Sequence, residues 1–216
     1  PGLAGVGEIP DIPSIAETMA NRAGAGAYPV GLGQLPPADF AGFAAAYWRR
    51  VTALAGSPAL RPIDKNLRNF LHLGLLRLMF PQATIIHCRR HPVDTALSCY
   101  FQNFATGQAF SFSLDGIVEY TRGYRELMNH WHEVLPGQIH DVDYESLVEQ
   151  PRETVGALLD FCGLPWDEAC LDHVSTRRTV STASSWQVRQ PLYRRSVARW
   201  RNYERQLGRL RELLVE

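Results

Sequence analysis

Two adjacent arginines, Arg89 and Arg90, follow the apolar run ATIIHC (residues 83 to 88) and precede His91 and Pro92, a proline placed to open a helix. Guanidinium groups at a strand end, just before a helix N-terminus, gather charge-assisted donors and amide dipoles at one point, which is the chemistry of an anion site. Ser98 lies eight residues beyond Arg90 and adds a hydroxyl if the helix packs back toward the strand. The alternative is an ordinary strand-to-helix turn whose arginines pair with Asp94 or another carboxylate. A second apolar segment runs into VDYESL, residues 142 to 147, so Tyr144 falls at the carboxyl end of a strand. There its ring either reaches the same crevice as Arg90 or simply packs.

Glu8 follows GVG among apolar neighbours. A carboxylate in such a loop has the reach of a general base, and the alternative is a solvent-facing acid. Lys65 is the only lysine; the other 21 of the 22 basic residues are arginine. Ammonium is a compact charge with three donors, whereas guanidinium is a rigid fork. Either position 65 needs an amine, or one lysine survived by chance in an arginine-rich chain. His130 and His132 resemble a ligand pair, but on a helix they point about 200° apart, and a metal site needs a third ligand and a supporting shell. No metal is expected. Cys88, Cys99, Cys162 and Cys170 have no CxxC or zinc-like spacing and read as reduced core thiols, which favours a cytoplasmic protein.

The elements that must position these residues follow from periodicity. Helices are expected over residues 13 to 23, 37 to 55, 66 to 79, 92 to 104, 114 to 134 and 151 to 162, with strands at 83 to 88 and 139 to 144. The Gly-rich stretch 24 to 36 matches no phosphate-binding fingerprint, because no lysine follows its glycines and no strand precedes them; it reads as a surface loop or lid. Strand, helix, strand, helix in succession predicts an α/β layered domain.

Composition sets the outer limits. With 216 residues and 45% hydrophobic content, the chain reads as one globular domain, residues 1 to 216, that folds without disulfide or metal staples. No apolar run reaches the roughly 18 residues that span a bilayer, and the N-terminus carries no signal-peptide pattern. Net charge is zero, yet residues 176 to 216 hold ten arginines against Glu204, Glu212 and Glu216. A basic tail on an acidic body suits a small anionic ligand better than nucleic acid, which usually brings a basic balance to the whole domain. Residues 199 to 211 alone read as an arginine-rich solvated helix.

Three blocks carry a resemblance: DKNLRNFLHLGLLRLMFPQATIIHCRRHPVDTALSCYFQNF (64 to 104), VDYESLVEQPRETVGALLDFCGLPWDEACL (142 to 171) and STASSWQVRQPLYRRSVARWRNY (181 to 203). In order and spacing they resemble the bacterial sulfotransferases related to tyrosylprotein sulfotransferases. The resemblance implies a P-loop-like α/β fold, a short parallel sheet flanked by helices, that binds 3′-phosphoadenosine 5′-phosphosulfate as cosubstrate and uses no metal. It implies that Arg90 and Ser98 grip the 3′-phosphate, that Tyr144 lies by the nucleotide, and that Ser184 and Arg189 belong to a nucleotide lid. It implies Lys65 as the cation that stabilises the transferring sulfonate or its bridging oxygen, and Glu8 as the general base. The acceptor is then a hydroxyl on a small molecule, carbohydrate or peptide.

Two departures accompany the resemblance. Such enzymes open with a strand and a loop resembling PRSGTT that cradles the 5′-phosphosulfate; that loop is expected to end shortly before residue 1, so the chain reads as N-terminally truncated. Tyrosylprotein enzymes place an arginine two positions after the glutamate, where this chain has Pro10, which argues against a tyrosyl-peptide acceptor. A nucleotide-dependent phosphotransferase on a similar fold would need GxxxxGK followed by Ser or Thr, which is not in the sequence. A non-catalytic module that keeps the adenosine 3′,5′-bisphosphate site is the remaining alternative.

Overall fold

A computed structural model describes residues 2–22, 28–57, 60–104, 107–172 and 194–214. The chain forms two compact units, Pro1–Ala83 and Thr84–Glu216. Among the described residues both are mostly helical, and each holds one two-stranded parallel sheet. Among the described residues no helix is long and apolar enough to cross a membrane.

In the first unit β1 (Leu3–Gly7) pairs with β2 (Arg61–Asp64). Neither strand is expected from the sequence, because LAGVG and RPID are short and rich in glycine and proline, which disfavour strands. Three helices accompany them: α1 (Asp11–Arg22), α2 (Pro37–Ala55) and α3 (Leu73–Met79). Ile12, Ala16 and Met19, spaced for one helix face, bury against Leu32, Leu75 and Met79. Pro36 and Pro37 start α2, and Gly56 at φ 77° ends it in the left-handed conformation that glycine adopts without strain. The helix expected from residue 66 begins later. Asn66 accepts from the Arg68 amide at 2.9 Å and donates to Ile9 O at 2.8 Å, a local pattern that competes with helix, so a 3₁₀ turn at Asn69–His72 precedes α3.

The second unit follows the expected order, with one helix added that the sequence does not predict: β3 (Ile85–Arg89), α4 (Pro92–Phe101), α5 (Leu114–Val134), β4 (Ile139–Asp143), the added α6 (Tyr144–Glu149) and α7 (Pro151–Phe161). Strands β3 and β4 pair in parallel from Ile85↔Ile139 to Arg89↔Asp143. The Ser113 hydroxyl accepts from the Gly116 amide at 3.0 Å and caps α5. A Cβ at Gly116 would come within 2.6 Å of Phe110 O, so this close turn requires glycine.

Two expectations are corrected. The basic C-terminal segment is no solvated helix: it runs as 3₁₀ turns at Arg199–Tyr203 and Gly208–Leu214. Leu207, Leu210 and Leu213 are each 1% exposed and pack with Val93, Ala96, Leu97, Ile117 and Val118. Leucines every third residue fall on one side of a three-residue turn, while Arg209 faces outward to Asp115, Glu119 and Glu212. The cysteines are free, as expected, but none is a core thiol; Cys88 and Cys170 are exposed, and Cys99 and Cys162 half-buried.

Candidate active site

Each parallel sheet ends in a pair of side chains that its register brings together. In the first unit Gly5 faces Ile63 but Gly7 faces Asp64, so β1 carries one extra residue, a bulge at Val6. The bulge advances the chain so that Glu8, rather than Gly7, follows beside Lys65. Gly7 takes φ 88° to allow it. Lys65 Nζ donates to Glu8 Oε1. The main chains are fixed on either side of this pair: the Lys65 amide donates to Gly7 O at 3.1 Å, and Asn66 Nδ2 donates to Ile9 O. Next to Lys65, Asp64 accepts from the Tyr47 hydroxyl at 2.8 Å, and burial raises the pKa of both groups.

The Lys65 side chain is 59% exposed and that of Glu8 38%. An ion pair this open adds at most about 1 kcal/mol to stability. Packing therefore explains little of why an amine and a carboxylate occupy these positions. Chemically, the pair offers a proton acceptor beside a compact cation.

In the second unit the register Arg89↔Asp143 puts the next residues, Arg90 and Tyr144, side by side at the carboxyl ends of β3 and β4. The Arg90 guanidinium stands 5.2 Å from the centre of the Tyr144 ring. Tyr144 opens α6 rather than closing the strand.

The two arginines, alike in sequence, differ in their surroundings. Arg89 donates through Nε and one Nη to both Asp143 oxygens at 3.0 Å and lies 3.1 Å from Asp141. That is the carboxylate pairing weighed above, and it uses up Arg89. Arg90 has no carboxylate among its described partners; it donates from one Nη to Ser196 O at 2.6 Å, and its buried Nε has no acceptor among the described residues. His91 Nδ1 and Asp94 Oδ2 beside it are also buried without partners among the described residues. Three unpaired polar atoms around one strand-to-helix turn are an uncommon cost.

The same turn is organised by Glu145 and Trp200, which sequence reading does not single out, and by Asp94, which it offers only as an arginine partner. Glu145 accepts from the His91 amide at 2.9 Å, Asp94 accepts from the Trp200 amide at 2.8 Å, and the Trp200 ring stacks on His91 at 5.5 Å. Asp94 and Trp200 are 106 positions apart, so no local signal announces the contact. Ser98 lies on the exposed side of α4, among buried Val93, Asp94, Ala96 and Leu97, and no hydrogen bond joins it to Arg90 among the described residues. Ser184 and Arg189 lie outside the described residues.

The profile of the Sulfotransferase family matches residues 32–168, a span that includes Lys65, Arg90, Ser98 and Tyr144. A protein of Aquifex aeolicus (strain VF5), described only as uncharacterized, is 43% identical over 176 residues, 80% of this chain and 23% of that protein. The chain thus spans about a quarter of this relative's length. Among solved structures, the sulfotransferase domain from the Synechococcus PCC 7002 olefin synthase is similar with a TM-score of 0.61 at 19% identity. That likeness covers 90% of this chain and 76% of that one, and it is one of fold.

Proposed function

Because the chain belongs to the Sulfotransferase family, whose profile spans more than half of it, we propose that it moves a sulfonate group from 3′-phosphoadenosine 5′-phosphosulfate to an acceptor hydroxyl. The reaction is an in-line displacement at sulfur. The acceptor oxygen forms the new S–O bond, the bond from sulfur to the bridging oxygen breaks, and its electron pair stays on the 5′-phosphate of the leaving adenosine 3′,5′-bisphosphate. Glu8 takes the acceptor proton, and Lys65 offsets charge growing on the bridging oxygen. The reading requires no metal, since such chemistry rests on positioning and electrostatics.

Arg90 holds the 3′-phosphate with Ser98, and Tyr144 lines the nucleotide; Ser184 and Arg189 cover it. The Nε of Arg90, which has no acceptor among the described residues, supports this division of labour, because a phosphate oxygen would be an acceptor for it. Asp94 and Glu145 orient the turn without touching the ligand.

The observation that carries the reading is the Glu8–Lys65 pair: the chain's only lysine stands against a carboxylate on the register of a bulged parallel sheet. A base and a cation are the two groups that sulfonate transfer asks for. The test is transfer of labelled sulfonate from the nucleotide to a panel of small-molecule, carbohydrate and peptide hydroxyls. Transfer that is lost in Glu8→Gln supports the reading. A protein that is stabilised by adenosine 3′,5′-bisphosphate but transfers nothing to any acceptor would be the non-catalytic module instead.

A further inference from the structure

The register of β3 with β4 sets His87 opposite Asp141 and Arg89 opposite Asp143. Alternate residues share a face, so these four side chains form one polar row on the sheet. His87 Nδ1 meets Asp141 Oδ1 at 2.7 Å, and His132, in the last turn of α5, brings Nε2 to 3.4 Å from the same oxygen. One ligand atom from each of the three residues falls within 4.8 Å of the others. His130 is not part of this group. The third ligand and supporting shell that a histidine pair would need are supplied to His132 alone.

We propose that His87, Asp141 and His132 form a binding site for a late first-row divalent cation of the zinc type. Two imidazoles and one carboxylate are the ligand set of a three-protein-ligand zinc centre whose fourth position stays open. Ligands about 2.0–2.1 Å from a tetrahedral ion stand about 3.4 Å apart. The His132–Asp141 separation has that value already, and the His87–Asp141 pair, at 2.7 Å, opens by about 0.7 Å. His132 is 38% exposed and gives the ion an approach from solvent.

The surroundings suit a cation. Asp141 keeps Oδ1 for the ion, while Arg89 holds Oδ2 at 3.1 Å. Arg89 is itself balanced by Asp143, so Asp141, Asp143 and Arg89 together carry one net negative charge. Tyr124 on α5 meets His87 Nε2 through its hydroxyl. Without metal, Nδ1–H donates to Asp141 and Nε2 accepts from Tyr124. With the ion on Nδ1, the proton occupies Nε2 and donates to the Tyr124 oxygen, so the imidazole stays neutral and no proton is lost. A partner on the far nitrogen of a ligating histidine is the arrangement that fixes tautomer and ring orientation in metal centres. Bound there, the ion ties the end of α5 to both strands beneath the Arg90 turn.

The test is titration of the protein with Zn2+ by calorimetry and with Co2+ by its visible ligand-field absorption. One ion per chain is expected, with the cobalt intensity of a four-coordinate site. His132→Ala removes both signals; because His132 is at the surface, circular dichroism is expected to report a folded protein. Tyr124→Phe keeps the ligands and weakens binding by about 10- to 100-fold. Absence of stoichiometric binding to the wild type would overturn the site, as would binding that survives His132→Ala unchanged, which would assign the ion to the cysteines or elsewhere.

Discussion

Lys65 and Glu8, 57 positions apart, meet because β1 takes one residue more than β2 over the same length. Arg90 and Tyr144 meet by the plain version of the same device, one residue past a regular parallel register. In both units, strand pairing delivers the proposed pair to the carboxyl edge, where α/β sheets bind their ligands.

The bulge makes Gly7 a sensitive position. At φ 88° a Cβ is strained even though the space around it is open. Gly7→Ala is expected to cost about 1–2 kcal/mol in urea unfolding and to lower transfer activity further by shifting Glu8. Unchanged stability and activity would mean that β1 reaches Glu8 without the bulge.

Arg89 and Arg90 are expected to separate in a binding experiment. Loss of a hydrogen bond to a charged group costs about 1.5–3 kcal/mol, so Arg90→Ala weakens adenosine 3′,5′-bisphosphate by about 10- to 100-fold in calorimetry. Arg89→Ala, whose guanidinium is committed to Asp143 and Asp141, weakens it much less. Equal losses would contradict this sorting.

Much of this was legible in the sequence. Helices α2 and α5 begin and end at their expected residues, the first between a proline pair and Gly56, the second behind Ser113. The β3–β4 sheet follows from β-branched runs, and with it the neighbourhood of Arg90 and Tyr144. The sequence does not disclose β1 and β2, whose glycines and proline mask strands that exist only as a pair. For the same reason Glu8 and Lys65 carry chemistry in the sequence but no sign of proximity. The split between Arg89 and Arg90 is invisible too, because it depends on Arg89 closing β3 opposite Asp143 while Arg90 falls in the turn beyond the strand. In the C-terminal segment the arginines between Leu207, Leu210 and Leu213 hide a period of three.

Those leucines give a stability prediction. Leu210→Ala removes a fully buried side chain and is expected to destabilise the protein by about 2–5 kcal/mol, whereas Arg205→Ala, on an exposed residue, stays near zero. Thermal unfolding of the two variants checks it. Similar small effects for both would return the segment to a solvated helix.

His72 gives a pH dependence. Burial lowers its pKa below the ordinary 6.5, and its Nδ1 meets the Tyr28 hydroxyl at 2.9 Å. Below that ordinary value the unfolded chain takes up a proton that the folded one resists. Stability is therefore full above about pH 6.5 and falls as pH drops through the depressed folded value. Denaturant titrations across this range are expected to show that slope, and His72→Gln is expected to remove part of it. A variant with an identical profile would assign the dependence to other groups.

The central claim is that Lys65 is present as an amine for catalysis. Steady-state transfer of labelled sulfonate by Lys65→Ala, measured beside an unfolding curve, tests it most directly. The account predicts normal folding with kcat reduced about 100-fold or more. Wild-type turnover by the folded variant would contradict it.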